Sequence, residues 1–455
     1  MYDDERLRRI DREHLWHPYS DIDEMEAEPF PLMERAEGCY IYRRDGTKYL
    51  DGIASWWCVN FGHSHPALLA AIQEQSRQLQ NVILAGMSHE KAILLAQKLA
   101  RISPIPEAHC YFAGDGSSAV EAALRMALHY WENIGETRRK KFFCLENAYH
   151  GDTMGSVSVG YVERFHHQLK GLLPGNYRAL SPHCAACPFG QHPSSCATEC
   201  FGSMERLFER HAHECAAVIV EPLCQGAGGI RIYPAAYLRK LRALCDRHNV
   251  LLICDEIAVG FGRTGAMFAS QYAGIVPDLM TVGKGLTGGY LPMSAALASA
   301  RIYQSFRPSC GGETFFHGHT YCANPIVSAL ALRALNLYEE ENILLRIQPL
   351  IPLLAEQMPA LQQEFLPQSY CGTLGMIGAF EICEEEGGAV RAAALAARLR
   401  QLGLFLRPLG NVLYLWPPLV ISEAELRFCL AALRQALQGD RAKDVKIEKD
   451  ISRGY

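Results

Sequence analysis

Between about residue 65 and residue 325 the chain alternates short apolar, β-branched runs with helical patterns, and no other feature constrains its fold as tightly. CYFAG precedes AVEAALRMALHYW, KFFCLEN and AAVIVEP follow, and YLRKLRALCDRH leads into VLLICDE and then DLMTVGKG. Apolar runs of this length, separated by amphipathic helices, predict an α/β architecture with a mainly parallel sheet wrapped by helices. From about residue 326 the order changes. A helical pattern (IVSALALRALNLYEEE) comes first, followed by GMIGAFEI, AARLRQLGL, NVLYLWPP and EAELRFCLAALRQAL, which predicts a smaller α+β domain. The strand pattern CYIYRRDGTKYLDG is expected to join it. With 455 residues, 49% hydrophobic and 20% charged, the chain can bury more than one core. The expected division is an N-terminal segment, 1–64, packing with the small domain; a large domain, 65–325; and a C-terminal small domain, 326–455, ending in the polar, solvated tail GDRAKDVKIEKDISRGY.

A net charge of -5 offers no basic footprint for nucleic acid and no polybasic patch for anionic lipid, so small molecules are the expected partners. The first residues, MYDDERLRRIDREHLWHPYS, lack an apolar signal core, and no stretch approaches the roughly 20 apolar residues that span a bilayer. A cytoplasmic protein with no membrane partner is expected. Seventeen cysteines in so long a chain, several inside apolar runs, read as reduced and buried. Cys184, Cys187, Cys196 and Cys200 stand apart in HCAACPFGQHPSSCATEC. Their close pairs resemble zinc-ligand spacing, but the gap between the pairs is shorter than in common four-cysteine modules. A surface insertion that is merely cysteine-rich is the expectation, and no metal is assigned.

Functional groups in open α/β sheets collect at the carboxyl ends of strands. There VLLICDEIAVGFGRTG delivers Asp255 and Glu256, and DLMTVGKGLTGGYLP delivers Lys284 between glycines that let the backbone approach a ligand. A lysine amine to hold an aldehyde, beside a carboxylate to keep a pyridine nitrogen protonated, is what pyridoxal 5'-phosphate (PLP) chemistry requires. Read alone, Asp255 is equally a structural strand-end acid and Lys284 a surface lysine. In YFAGDGSSAVEAALRMALHYW, Gly116 and Ser117 stand just before a helix, where free N–H groups and the helix dipole favour a phosphate; a plain N-cap is the alternative.

With SWWCVNFGHSHP, GDGSSAVEAA, AYHGDTMGSVSVG, VIVEP, CDEIAVGFGRTG, GKGLTGGYLP and FFHGHTYCANP in order, the sequence resembles the class III, fold type I PLP-dependent aminotransferases from about residue 14 to 435. The resemblance implies a fold type I transferase, a PLP-binding large domain, and a homodimer with active sites at the subunit interface. It implies Lys284 as the Schiff-base lysine, Asp255 as the pyridinium partner and Gly116 and Ser117 as the phosphate loop. Tyr149 matches the ring stacked on the cofactor, and Thr320, in the motif that also holds Gly318, matches a hydroxyl reaching the phosphate from the other subunit. The loop reads GDGSS where relatives often carry Ser-Gly-Ser or Asn-Gly-Ser. His150 reads as a turn-shaping residue outside the catalytic set.

Tyr19 in LWHPYS, the tandem Trp56 and Trp57, Asp152, and Arg407 and Tyr414 in LRPLGNVLYLWPP resemble, with Tyr149, Lys284 and Gly318, a substrate pocket of the biotin pathway. An aromatic wall suits an aliphatic chain or a sulfonium, and an arginine forks onto a distant carboxylate. Together they imply 8-amino-7-oxononanoate as acceptor and S-adenosylmethionine as donor, with lysine an open alternative donor. Tandem tryptophans also fill cores, Arg407 is equally a surface ion-pair residue, and Asp after Gly is ordinary turn chemistry. Competing readings are another class III ω-aminotransferase, acting on 4-aminobutyrate, ornithine, a diamine or β-alanine with an α-keto acid; a PLP aminomutase of the same fold; and a metal-binding module built on the four cysteines.

Overall fold

The computed structural model describes residues 3–27, 30–191 and 195–451 of the 455-residue chain. Its centre is a seven-stranded sheet running, from one edge, His109–Ala113, Ser294–Ala298, Leu279–Val282, Leu251–Asp255, Cys215–Val220, Lys141–Leu145 and Tyr177–Ala179. Only Ser294–Ala298 runs against the others. Every residue of Cys215–Val220 and of Leu251–Asp255 is buried. This is why both segments are apolar runs without alternation: helices cover both faces of a parallel sheet.

The helix Gly116–Asn133 shows how sequence sets these covering elements. Asp115 caps it by accepting from the Ser118 N–H at 2.9 Å, and its inner face buries Val120, Ala123, Ala127 and Trp131. Trp131 donates its indole N–H to the Ala216 carbonyl at 2.7 Å, so the ring packs on the sheet without an orphaned donor. The helix Ala235–His248 ends at Asn249 in the left-handed region, which turns the chain directly into the central strand Leu251–Asp255.

The C-terminal runs fold as the helix Pro325–Glu340, capped by Asn324, then a helix Leu350–Phe365, an antiparallel sheet of Tyr370–Leu374, Ile377–Glu381 and Val412–Leu415, and the helix Gly388–Gln401. The hairpin of Tyr40–Arg43 and Lys48–Asp51 pairs with Leu404–Phe405, which runs parallel to Lys48–Asp51. The last helix runs from Glu423 to Ile451, through most of the polar segment expected as a tail. Its first turns are apolar on one face, and the charged continuation, rich in Lys and Asp, runs past Gly439 without a proline to stop it. No helix among the described residues is long and apolar enough to cross a membrane.

Candidate active site

Two adjacent parallel strands deliver the acid and the lysine to one place. Asp255 ends its strand opposite Thr281, and Lys284 follows two residues after the neighbouring strand ends at Val282. Three donors hold the Asp255 carboxylate: Thr281 Oγ1 at 3.0 Å and the Ile257 N–H at 3.1 Å on Oδ1, and His150 Nδ1 at 2.7 Å on Oδ2. An ionised carboxylate only accepts, so the His150 proton sits on Nδ1, and its buried Nε2 is left without a partner. Lys284 adopts a left-handed backbone, φ +43°. Its amine faces a cavity but is otherwise enclosed by protein, and burial pushes its pKa below the ordinary lysine value, opposed by the charges of Asp255, Cys58 and Glu221.

A cavity of about 240 Å³ connects these groups with the start of the Gly116–Asn133 helix. Asp115, Gly116, Ser117, Tyr149, His150 and Ile257 complete its wall. The Asp115 carboxylate is turned into the helix, accepting from both the N–H and the hydroxyl of Ser118. Gly116 and Ser117 are the first helical residues, whose N–H groups have no intrahelical acceptor. Gly151, at φ +119°, packs so tightly on this turn that a Cβ would lie 1.9 Å from Ser117 Oγ. The cavity wall therefore carries free helix N–H groups, an amine and a carboxylate.

A second cavity, of about 920 Å³, shares Trp57, Tyr149, Ala227 and Lys284 with the first and extends outward to Tyr19, Trp56, Asp152 and Arg407. Asp152 accepts from Tyr19 Oη at 2.7 Å, Tyr149 Oη at 2.9 Å and His166 Nε2 at 3.1 Å. These bonds, the one from His166 first, hold its carboxyl below the usual range against partial burial. Arg407 lies over the Trp56 ring, 4.9 Å from its centroid, and donates to the Tyr19 carbonyl at 3.1 Å. An anion and a cation thus face one aromatic-walled space.

The tryptophans reach that space from an unusual backbone. Ala54, Ser55, Trp56 and Trp57 have φ of +47°, +44°, +74° and +75°, a left-handed turn without a glycine. Each such residue costs roughly 1–2 kcal/mol, so the turn needs external support. The fully buried Asp51 supplies it, accepting on Oδ2 from Ser55 Oγ at 2.7 Å and His63 Nε2 at 3.0 Å. Ser55→Ala is expected to lower unfolding stability by about 1–2 kcal/mol, the worth of a hydrogen bond to a buried charge. Urea denaturation checks this, and an unchanged midpoint would mean the turn stands without the clamp.

Tyr414 requires a correction. It is buried behind Trp57, accepting the indole N–H at 3.2 Å, and lines neither cavity; all of Val412–Leu415 is core, and burial pushes the phenol up to about 12. Gly318 and Thr320 lie on an exposed loop and also line neither cavity of their own chain. Two residues of the site stand outside the set drawn from the sequence, which read His150 as a turn-shaping residue and did not name Glu221. His150 braces Asp255, and Glu221 accepts from the Tyr149 N–H at 3.0 Å and the Gly226 N–H at 2.8 Å, with burial pushing its carboxyl up to about 7. Glu221 follows the apolar run AAVIV, the signal that identified Asp255. Arg263 is fully enclosed, donating to the Met376 and Pro417 carbonyls and to Asn60, and so links segments far apart in the sequence. All seventeen cysteines are free thiols, and among the described residues no group of three or more His, Cys, Asp or Glu is arranged to hold a metal ion.

Residues 22–437 match the family model described as Aminotransferase class-III. Adenosylmethionine-8-amino-7-oxononanoate aminotransferase of Geobacter sulfurreducens is 39% identical over 452 residues, covering 96% of this chain and 98% of the relative. The crystal structure of adenosylmethionine-8-amino-7-oxononanoate aminotransferase from Methanocaldococcus jannaschii superposes with a TM-score of 0.89 at 34% identity, covering 96% of this chain and 99% of the other. An omega transaminase of Pseudomonas jessenii in complex with PMP superposes at 0.88 with 28% identity, covering 95% and 98%.

Proposed function

Since the chain belongs to the class III aminotransferases and is a PLP-dependent transaminase of that fold, we propose that it aminates 8-amino-7-oxononanoate, with S-adenosylmethionine as donor. One observation carries this reading: the cavity beside Lys284 sets the Asp152 carboxylate and the Arg407 guanidinium around an aromatic wall. An amino acid with a long chain between its charged ends meets all three features at once. The relatives' names point to the same substrates.

The first cavity fits pyridoxal phosphate, because it joins an anion seat, a buried amine, a braced carboxylate and an orphaned imidazole nitrogen. Gly116 and Ser117 would hold the phosphate through backbone N–H groups, Tyr149 would cover the ring and Asp255 would face its nitrogen. When bound, the cofactor supplies an electron-withdrawing ring that acidifies the carbon carrying the substrate amine. Lys284 would hold the cofactor's aldehyde through its amine and, with the amine free, would serve as the general base and acid. Burial lowers its pKa, the direction that favours the neutral amine a base requires. Three donors would hold the Asp255 carboxylate in place to favour the protonated ring nitrogen. Arg407 takes the distant carboxylate and Asp152 the cationic group. Gly318 and Thr320, exposed here, complete the site from a second copy in a homodimer. We place the enzyme in the cytoplasm.

The test is an absorbance scan of the purified holoenzyme with S-adenosylmethionine and then 8-amino-7-oxononanoate added in turn. The cofactor's visible band should fall with the first and return with the second. A band that ignores both and responds to lysine, 4-aminobutyrate or a diamine would reassign the substrate pair and leave Lys284 in place.

A further inference from the structure

Asp152 is held more firmly than its position requires. Its side chain is 53% exposed, yet three side chains from three separate segments converge on it: Tyr19 and Tyr149 on Oδ2 and His166 on Oδ1. A carboxylate so open to water is solvated without help, and ordering three partners around it costs side-chain entropy. Such ordering is worthwhile where the direction of the charge matters.

His166 is the most constrained of the three. It is 3% exposed, its ring lies parallel to Tyr149 at 6.0 Å, and Phe165 and Tyr161 pack around it. Its Nδ1 accepts the Val162 N–H at 3.1 Å, which puts the ring's proton on Nε2, where it points at Asp152. All three partners are therefore neutral donors. Among the described residues no lysine or arginine forms an ion pair with Asp152. A cationic partner would cancel the charge; neutral donors fix the carboxylate plane and leave the charge facing the cavity.

We propose that His166 is a positioning residue for substrate recognition, fixing Asp152 as an oriented anion for the ammonium or sulfonium of the amino substrate. This rests on the transaminase reading and on Asp152 serving as the cation's anchor. It adds a determinant that touches no substrate atom and acts through the carboxylate.

The experiment compares holoenzyme carrying His166→Phe or His166→Gln with wild type, reading kcat and KM for the cationic substrates and inhibition by nonanoate. Nonanoate presents the chain and the carboxylate but no cation. His166→Phe should raise KM for S-adenosylmethionine about tenfold, the loss of one hydrogen bond to a charged group, with kcat within about threefold. Inhibition by nonanoate should change less than about twofold, because it loses no such bond. His166→Gln, which can still present an N–H to Asp152, should restore most of the affinity. An unchanged KM in His166→Phe, an equal loss of nonanoate binding, or a failure of glutamine to rescue would overturn the proposal. If wild type responds only to lysine or a diamine, the substrate reading fails, and the same pair of variants is measured on that amine with the same expected rise in KM.

Discussion

Replacing Lys284 by alanine is expected to abolish transamination, with a loss on the order of 10⁴-fold or more, at or beyond the upper range for one positioned acid–base group. The lysine has two tasks, holding the aldehyde and moving the proton, and among the described residues no other amine lines the first cavity. Lys284→Arg should fail equally, because a guanidinium keeps the charge but neither attacks an aldehyde nor gives up its proton. The fold should survive the change to alanine. Burial already disfavours the charged amine, and removing it relieves the native state of a desolvated group. The measurement is the initial rate of amino transfer, with circular dichroism as the control for folding. Turnover within tenfold of wild type would remove Lys284 from the chemistry.

The second large effect is expected at Asp255. Asn preserves the shape and can still accept from Thr281 and the Ile257 N–H, so cofactor should remain bound at full stoichiometry. The amide removes the negative charge, and its N–H₂ group then meets the proton on His150 Nδ1. We expect a rate lower by about 10²–10³-fold, the usual cost of deleting one preorganised electrostatic contact in a dry site. Retained visible absorbance with a collapsed kcat is the signature. A wild-type rate would show that the charge beneath the ring is dispensable.

Asp255 and Lys284 were legible because an acid or lysine ending an apolar strand has a fixed destination, the carboxyl edge of a parallel sheet. The same rule applied to Glu221, but a lone acid before a proline gave no second group with which to pair it. His150 looked like part of a turn because its partner Asp255 lies 105 residues away, and only the fold brings them together. Tyr414 misled for the opposite reason. It follows Arg407 closely in sequence, yet Val412–Leu415 is a core strand, so proximity along the chain did not mean a shared wall. His166 carried no sequence signal: its role depends on a main-chain N–H that fixes its tautomer. The backbone at residues 54–57 was equally hidden, since Ala-Ser-Trp-Trp contains no glycine to announce a left-handed turn.

That turn has a consequence for anyone wishing to alter what this protein accepts. The wall residues Trp56 and Trp57 stand on strained backbone held by Asp51, so thermal robustness and substrate choice are opposed at these positions. Glycine at residue 56 would ease the backbone while opening the cavity, and selection for stability alone would drift toward a less discriminating enzyme. Selection for a new substrate that keeps a large side chain there must retain Asp51, Ser55 and His63, although none of the three lines the substrate cavity.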